Sequence, residues 1–196
     1  MVNNRLACVV ALVAVVSFAA SVKPASAPNV QPWLLGVKDL PARWYIIPSP
    51  PSERGCFSPP TLIAKAHPGS VAQEELYNPD GGYLGERVAS WAAPADAERA
   101  WRSVDHQLAA CGHSVLQRGT TPMPVTVRAI NLGRYGQLSS AYQIGGNDGT
   151  IPEVSDYVLA KKGRAVISLA YAVYANGLQP GYVEALFRIA LGKVEG

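Results

Sequence analysis

From residue 125 onward, apolar side chains recur at every second position, and this spacing constrains the fold more than any other feature of the chain. A period of two is typical of strands that bury one face of a sheet. The pattern predicts strands at residues 125–132, 138–144, 157–161 and 165–174. We expect these strands to pair antiparallel, with a flexible glycine-rich loop at 145–149 and a hairpin turn at Lys162-Gly163.

Two helices are expected to pack on this sheet. The first spans residues 94–111, with Pro94 near its start and Gly112 after its end. Its buried stripe recurs at steps of three and four and consists of Ala97, Ala100, Trp101, Val104, Leu108 and Cys111. A similar stripe at residues 180–194 predicts a C-terminal helix that covers the sheet. The predicted fold class is α+β: a curved antiparallel β-sheet packed by a central and a C-terminal helix.

The part of the chain before the central helix is rich in proline. Eight of the 16 prolines fall within residues 28–60, which forbids a long helix there and favours extended backbone. Within this proline-rich segment we expect a short helical turn near residues 34–40 and a short strand at 45–47. A turn at residues 78–82 then introduces a further strand at 83–92.

The first 27 residues have the pattern of a secretory leader. Arg5 precedes an uncharged apolar run at residues 6–20, and the small-residue sequence Ala25-Ser26-Ala27 offers a cleavage site. The run is shorter than the roughly 20 residues that span a bilayer. The alternative is a buried N-terminal helix of the domain. Pro28 would directly follow the cut, where it hinders a peptidase that binds extended backbone. A leader that is not cleaved would tether the chain to the membrane.

The chain has three cysteines, and Cys8 belongs to the leader. Export places Cys56 and Cys111 in an oxidising compartment, so we expect a disulfide between them. Closing a loop of 55 residues stabilises the fold by roughly 4 kcal/mol in the chain-entropy description. Two alternatives are a pair of free buried cysteines and a metal site that recruits His106 and His113. The metal site is disfavoured because no second cysteine or histidine lies at ligand spacing from Cys56.

Removal of the leader leaves residues 28–196, a length that suits one domain formed by the proline-rich segment and residues 61–196. Arg5 and Lys23 account for two of the 17 basic residues, which leaves 15 basic against 14 acidic ones. Nothing in this balance attracts nucleic acid, which would require a clustered basic face, so we expect no nucleic-acid partner.

Sequence signatures of catalysis are missing from the chain, including the nucleophile elbow, the zinc-protease helix and the phosphate-binding glycine loops. The histidines His67, His106 and His113 are scattered, which is typical of surface or capping residues. Ser70 follows Gly69 in what we interpret as a loop. We therefore assign no catalytic residue, no metal ligand and no cofactor, and expect the chain not to be an enzyme.

Two acidic residues on predicted strands, Glu86 and Asp156, are candidates for an acid/base pair. Acid/base catalysis requires the two carboxyl groups to lie several ångströms apart, and one sequence does not fix that separation. We interpret them instead as part of solvated strand faces. The loop at 145–149 lacks the alternating oxygen ligands of a calcium site, and we interpret it as a turn.

Aromatic residues lie on or beside the predicted strands. In a curved antiparallel sheet such side chains can line an apolar groove for a ligand, and ordinary core packing explains them equally well. The candidate ligand-binding residues are Trp91, Tyr135, Tyr142, Tyr157, Tyr171 and Tyr174.

Several landmarks occur in an order that a known family shares. The first is an early apolar and acidic series made of Leu34, Leu35, Asp39, Leu40, Pro41, Ala42 and Trp44. The strand sequence at 86–91 and the helix at 95–111 follow, and residues 156–166 then lead toward the last helix. Across roughly residues 33–194 the chain resembles the PknH-type extracellular sensor-like domains and their mycobacterial secreted or lipoprotein relatives.

This resemblance implies an α+β fold with a central cleft, a ligand-sensing role and no catalytic residues. Two features depart from the family: no cysteines remain for the second disulfide of the kinase sensor, and the lipid-attachment motif of many relatives is missing. No kinase domain accompanies the domain in this chain.

The expected function is an exported, envelope-associated binding module that holds a small molecule, lipid or cell-wall fragment in a cleft beside the sheet. One alternative is a structural or protein-interaction domain at the envelope. The other is an unrecognised hydrolase.

Overall fold

A computed structural model describes residues 26–48, 56–80, 82–118, 121–147, 152–174 and 180–194. The predicted leader falls almost wholly outside these ranges, since residues 1–25 are not described, and it stays a prediction. In the described part of the chain, no helix has both the length and the apolar character that crossing a membrane requires.

The described residues form one sheet of eight strands. The strands are β1 Tyr45–Ile46, β2 Ser70–Asn78, β3 Gly82–Ser90, β4 His113–Arg118, β5 Thr121–Ile130, β6 Leu138–Asn147, β7 Pro152–Lys162 and β8 Ala165–Tyr174. Their order is β1-β2-β3-β8-β7-β6-β5-β4, and every neighbouring pair is antiparallel. The four strands predicted from the period-two pattern thus form one half of the sheet.

The hairpin between β7 and β8 is confirmed. Lys162 pairs with Ala165, and Gly163 adopts a φ of 55°, a left-handed conformation that glycine tolerates best. The flexible loop expected at 145–149 is partly wrong, because Gly145 and Gly146 belong to β6 and pair with Thr126 and Val125. A Cβ at Gly146 would lie 2.7 Å from the Val125 side chain, so the glycine permits close strand packing there.

Three α-helices in the described ranges cover the two faces of the sheet. They are α1 Pro59–Lys65, α2 Pro94–Ala109 and α3 Pro180–Lys193, preceded by two short 3-10 turns at Gln31–Trp33 and Val37–Asp39. Helices α1 and α2 pack on one face, named here the α1–α2 face, and α3 with the turns packs on the other, the α3 face. The prediction of a central and a C-terminal helix on an antiparallel sheet is confirmed.

Each face carries its own hydrophobic cluster. The α1–α2 face buries Phe57, Ile63, Trp101, Val104 and Leu108, among others. The α3 face buries Leu35, Leu84, Leu169 and Phe187, among others. Strand alternation explains this division, because successive residues of one strand point to opposite faces.

The predicted disulfide is confirmed. Cys56 and Cys111 are bonded, with their Cα atoms 5.7 Å apart. Helix α2 ends at Ala109, so Cys111 is buried just beyond the helix and not on its stripe as expected. Beside the bond, the Phe57 N–H donates to Ser114 Oγ at 3.3 Å. Together these contacts fix the end of the proline-rich segment to the junction between α2 and β4.

Candidate binding site

An open cavity of about 400 Å³ lies where α1 ends and α2 begins. Its floor is the indole of Trp91, which directly follows β3, and its walls come from the loop after α1 and from one side of α2. The lining residues are Ala66, His67, Trp91, Asp96, Arg99, Ala100 and Ser103. The volume is within the range of small-molecule sites, roughly 300–1,000 Å³.

The floor of the cavity is held rigidly. Trp91 is 5% exposed, and its Nε1–H donates to the carbonyl oxygen of Ala66 at 3.1 Å. Its backbone N–H donates to Arg164 O at 3.0 Å, in the hairpin between β7 and β8. One tryptophan therefore joins the end of α1 to the sheet and lines the cavity with a side chain that is almost fully buried.

The rim of the cavity contains an unusual backbone conformation. His67 follows the end of α1 with a φ of 50°, in the left-handed region that residues other than glycine seldom occupy. Its N–H donates to Ala64 O at 3.1 Å, and the nearby Gly69 N–H donates to Ser90 O at 2.9 Å. Such conformations cluster at functional sites, where the surrounding structure holds them in place.

The wall formed by α2 is polar. Asp96, Arg99 and Ser103 recur at steps of three and four, which places them on the same side of the helix. Arg99 forms an exposed ion pair with Asp96, a type of contact worth little for stability. The cavity therefore offers guanidinium and imidazole donors, a carboxylate acceptor and a hydroxyl that does both. This set suits the binding of polar groups.

The structure divides the predicted ligand-binding aromatics between the two faces. Trp91, Tyr142 and Tyr157 are buried on the α1–α2 face, whereas Tyr135 and Tyr171 are buried on the α3 face. Tyr174 lies in β8, and its side chain is outside the described part of the chain. Of the five described rings, Trp91 alone lines the cavity.

Two of these tyrosine hydroxyls, on Tyr142 and Tyr135, bond to protein groups. Tyr142 donates to Asp105 Oδ1 at 2.6 Å, and burial, together with this carboxylate, raises the pKa of its hydroxyl. Tyr135 donates to Leu132 O at 2.5 Å, and its ring packs edge-on against Phe187. These rings have the contacts of core residues, and their role in ligand binding stays a prediction.

The interpretation of Glu86 and Asp156 as solvated strand faces is wrong. Each is 2% exposed, and both lie on the α3 face. Burial raises the pKa of Glu86 to about 7 even though the Leu35 N–H stabilises its charge. Burial also raises the pKa of Asp156, against the Gln143 amide that donates to it at 2.9 Å. The strand pattern alone does not reveal that α3 and the two 3-10 turns pack on this face of the sheet.

The structure gives no support to a metal centre at Cys111, because its sulfur is part of the disulfide and is no thiolate ligand. Across the described ranges, no group of three or more His, Cys, Asp or Glu side chains is arranged to hold a metal ion.

Comparison with known proteins identifies a similar fold. No protein-family model matches the chain, and no curated protein matches it. The structure is similar to the crystal structure of the extracellular domain of PknH from Mycobacterium tuberculosis, with a TM-score of 0.59 and 8% sequence identity. The match covers 80% of this chain and 92% of the PknH domain. At this identity the likeness is one of fold, which agrees with the α+β architecture that the landmark residues indicated.

Four cavity residues were not predicted as a site from the sequence. His67 was interpreted as a surface residue, and Asp96, Arg99 and Ser103 were not singled out. The signal available was the helical spacing of the last three, which puts them on one side of α2. What was missing was α1, since only its position shows which side of α2 faces a cavity.

Proposed function

We propose that this chain is an extracytoplasmic binding module that holds a polar small molecule or a cell-wall saccharide fragment in the cavity between α1 and α2. The observation that carries this proposal is the combination of a rigid indole floor with polar walls in one cavity of about 400 Å³. Small-molecule sites commonly join such a preformed concavity to a few convergent polar groups.

Three observations support a place outside the cytoplasm. The Cys56–Cys111 disulfide is typical of oxidising compartments. The first 27 residues have the pattern of a leader, and the fold is similar to that of an extracellular domain. A leader that stays uncut because of Pro28 would hold the module at the membrane surface.

The lining of the cavity favours a polar ligand over a lipid. Asp96 and Arg99 carry charge at its wall, and the buried Trp91 offers little apolar surface to an acyl chain. Binding without chemistry is the simplest use of this site, because Asp96 and Arg99 are already paired with each other.

A heteronuclear NMR titration tests the proposal, with soluble cell-wall disaccharides and short peptide fragments as the probes. We expect saturable shifts of the Trp91 Nε1–H and Arg99 side-chain resonances. Ser103→Trp fills the cavity and should abolish these shifts. Arg102→Trp adds the same bulk at the neighbouring exposed position of α2 and should leave them unchanged. Equal binding by both variants, or shifts elsewhere on the surface, would contradict the assignment of the cavity.

A protein-interaction role is the second candidate, and the sheet edge favours it. Strand β1 lies in the proline-rich segment at the end of the strand order, with Tyr45 46% exposed and Ile46 56% exposed. Exposed edge strands with apolar side chains can pair with another chain. A photoreactive residue at position 46 that cross-links to one envelope protein, together with no cavity ligand, would favour this candidate.

A further inference from the structure

A carboxyl group is buried in the middle of the α3 face. Glu86 lies between Leu84 and Val88 on that face of β3 and pairs with Leu169 of β8. Its partner on the other side, in β2, is Glu74, which is only partly buried. An ionised carboxylate in apolar surroundings is costly unless several donors compensate it.

Glu86 holds the start of the proline-rich segment against the sheet. The backbone N–H of Leu35 donates to Glu86 Oε2 at 2.5 Å. The second oxygen, Oε1, is buried and has no hydrogen-bond partner among the described residues. Glu86 therefore makes a long-range contact to residues 28–40 while half of its own hydrogen-bonding capacity is unused.

Residues 28–40 are attached to the rest of the fold at other points as well. Ser90 Oγ donates to Pro28 O at 2.9 Å, and Lys193 of α3 bonds to Asp39 Oδ2 at 2.6 Å. Between these points, Trp33 and Leu35 are buried in the α3-face cluster. Glu86 bonds to the centre of this segment, so lifting residues 28–40 away exposes its carboxyl to water.

The charged groups that face Glu86 come from three elements. Lys193 of α3 favours its ionised form, whereas Asp39 of the second 3-10 turn and Glu74 of β2 oppose it. Burial is the largest influence and, against the Leu35 N–H, raises the pKa of Glu86 from 4.5 to about 7. The docked state therefore favours the neutral acid.

We propose that Glu86 is a pH-dependent clasp that holds residues 28–40 on the sheet when it is neutral and favours their release when it is ionised. The neutral acid accepts the Leu35 N–H without burying a charge. Ionisation buries a carboxylate whose Oε1 lacks a donor, and opening relieves this cost by admitting water. The clasp is independent of the cavity, which lies on the opposite face of the sheet.

The direction of the pH effect follows from linkage. In the open state Glu86 is solvated and has its ordinary pKa of 4.5, and in the docked state the pKa is about 7. Opening therefore becomes easier as the pH rises from about 4.5 to about 7 and levels off above that range. The opening equilibrium constant should increase by roughly 70-fold between about pH 5 and about pH 8.

Hydrogen exchange of the whole chain, expressed as protection factors, tests the clasp. We expect the protection of residues 30–40 to fall as the pH rises in the wild type and to stay constant in Glu86→Gln, which keeps an acceptor for Leu35 but does not titrate. Glu74→Gln removes the same charge from the paired position in β2 and should retain the pH dependence. The same fall in wild type and Glu86→Gln would overturn the proposal.

A substitution-free measurement covers the case in which Glu86→Gln does not fold. The carboxyl carbon resonance of Glu86, followed by NMR in the wild type, should titrate in the same pH range in which protection is lost. Titration complete below about pH 5, as for a solvated glutamate, would overturn the clasp.

Discussion

The two faces of the sheet are fastened in different ways. On the α1–α2 face, a disulfide joins the segment before α1 to the residue after α2, and the ionic groups at the cavity wall remain near solvent. On the α3 face, residues 28–40 are held by hydrogen bonds, one ion pair and a buried carboxyl. One face therefore includes a covalent bond, and the other is held by noncovalent contacts that include titratable groups.

This difference suits the two roles that we propose, ligand binding on the α1–α2 face and a pH-dependent clasp on the α3 face. The disulfide joins the segment before α1 to the residue after α2 and so fixes both helices to each other, while the polar cavity at their other ends stays open. The α3 face has no such link among its described residues, so its outer layer is free to respond to protonation. The four predictions that follow alter one face at a time, from the largest expected effect to the smallest.

Removal of the disulfide tests the covalent fastening. Cys56→Ala with Cys111→Ala should lower the free energy of unfolding by about 4 kcal/mol, because the unfolded chain is no longer cross-linked. Urea unfolding measures the loss, and the reduced wild-type protein is the control. A loss below about 1 kcal/mol would show that noncovalent packing alone holds the α1–α2 face.

Replacement of the buried Glu86 carboxyl tests whether the attachment of residues 28–40 depends on pH. Because the pKa of Glu86 is raised from 4.5 to about 7, its contribution to stability is fully present below about pH 4.5 and is lost as the pH rises through about 7. The stability difference between the wild type and Glu86→Gln should change by about 3 kcal/mol across this range. Urea unfolding at several pH values measures it, with Glu74→Gln as the control. A difference that is constant with pH would contradict the burial of a titrating group on the α3 face.

One hydroxyl on each face gives a matched comparison. Tyr142→Phe removes a bond to the Asp105 carboxylate on the α1–α2 face and should cost about 2 kcal/mol. Tyr135→Phe removes a bond to a backbone carbonyl on the α3 face and should cost about 1 kcal/mol. Thermal unfolding of both variants checks the order, and the reverse order would mean that Asp105 is solvated once the hydroxyl is gone.

The smallest effect concerns the cavity rim. His67→Gly should raise the free energy of unfolding by about 0.5 kcal/mol, because glycine relieves the left-handed strain at the expense of a more flexible unfolded chain. His106→Gly, in the exposed part of α2, should instead lower it by about 1 kcal/mol. If both substitutions destabilise the protein equally, His67 stores no strain.

The sequence predicted elements whose pattern is strong over many residues. The period-two runs of β5 to β8 and the stripe of α2 were long enough to be distinguished from loops. Helix α1 was missed because its 7 residues begin with two prolines in a proline-rich segment. Strand β2 was missed because Gln73, Glu74 and Glu75 interrupt its alternation, and it forms by pairing with β3 along its full length.

The candidate site was less predictable than the fold. Trp91 was named from its position beside a strand, but His67 acquires its place only through the turn after α1. The burial of Glu86 was invisible for a similar reason, since residues 28–40 are distant in sequence from the carboxyl that they cover. Both features depend on packing between elements that are distant in the sequence, and a local sequence pattern does not reveal such packing.

Native mass spectrometry tests the central claim, an exported disulfide-bonded binding module, most directly. The protein is isolated under non-reducing conditions from the envelope fraction of cells that produce it. We predict a mass that corresponds to residues 28–196 less two hydrogens, with a dissociable polar small molecule that Ser103→Trp fails to retain. A mass with both Cys56 and Cys111 as free thiols, and no bound molecule, would contradict the account.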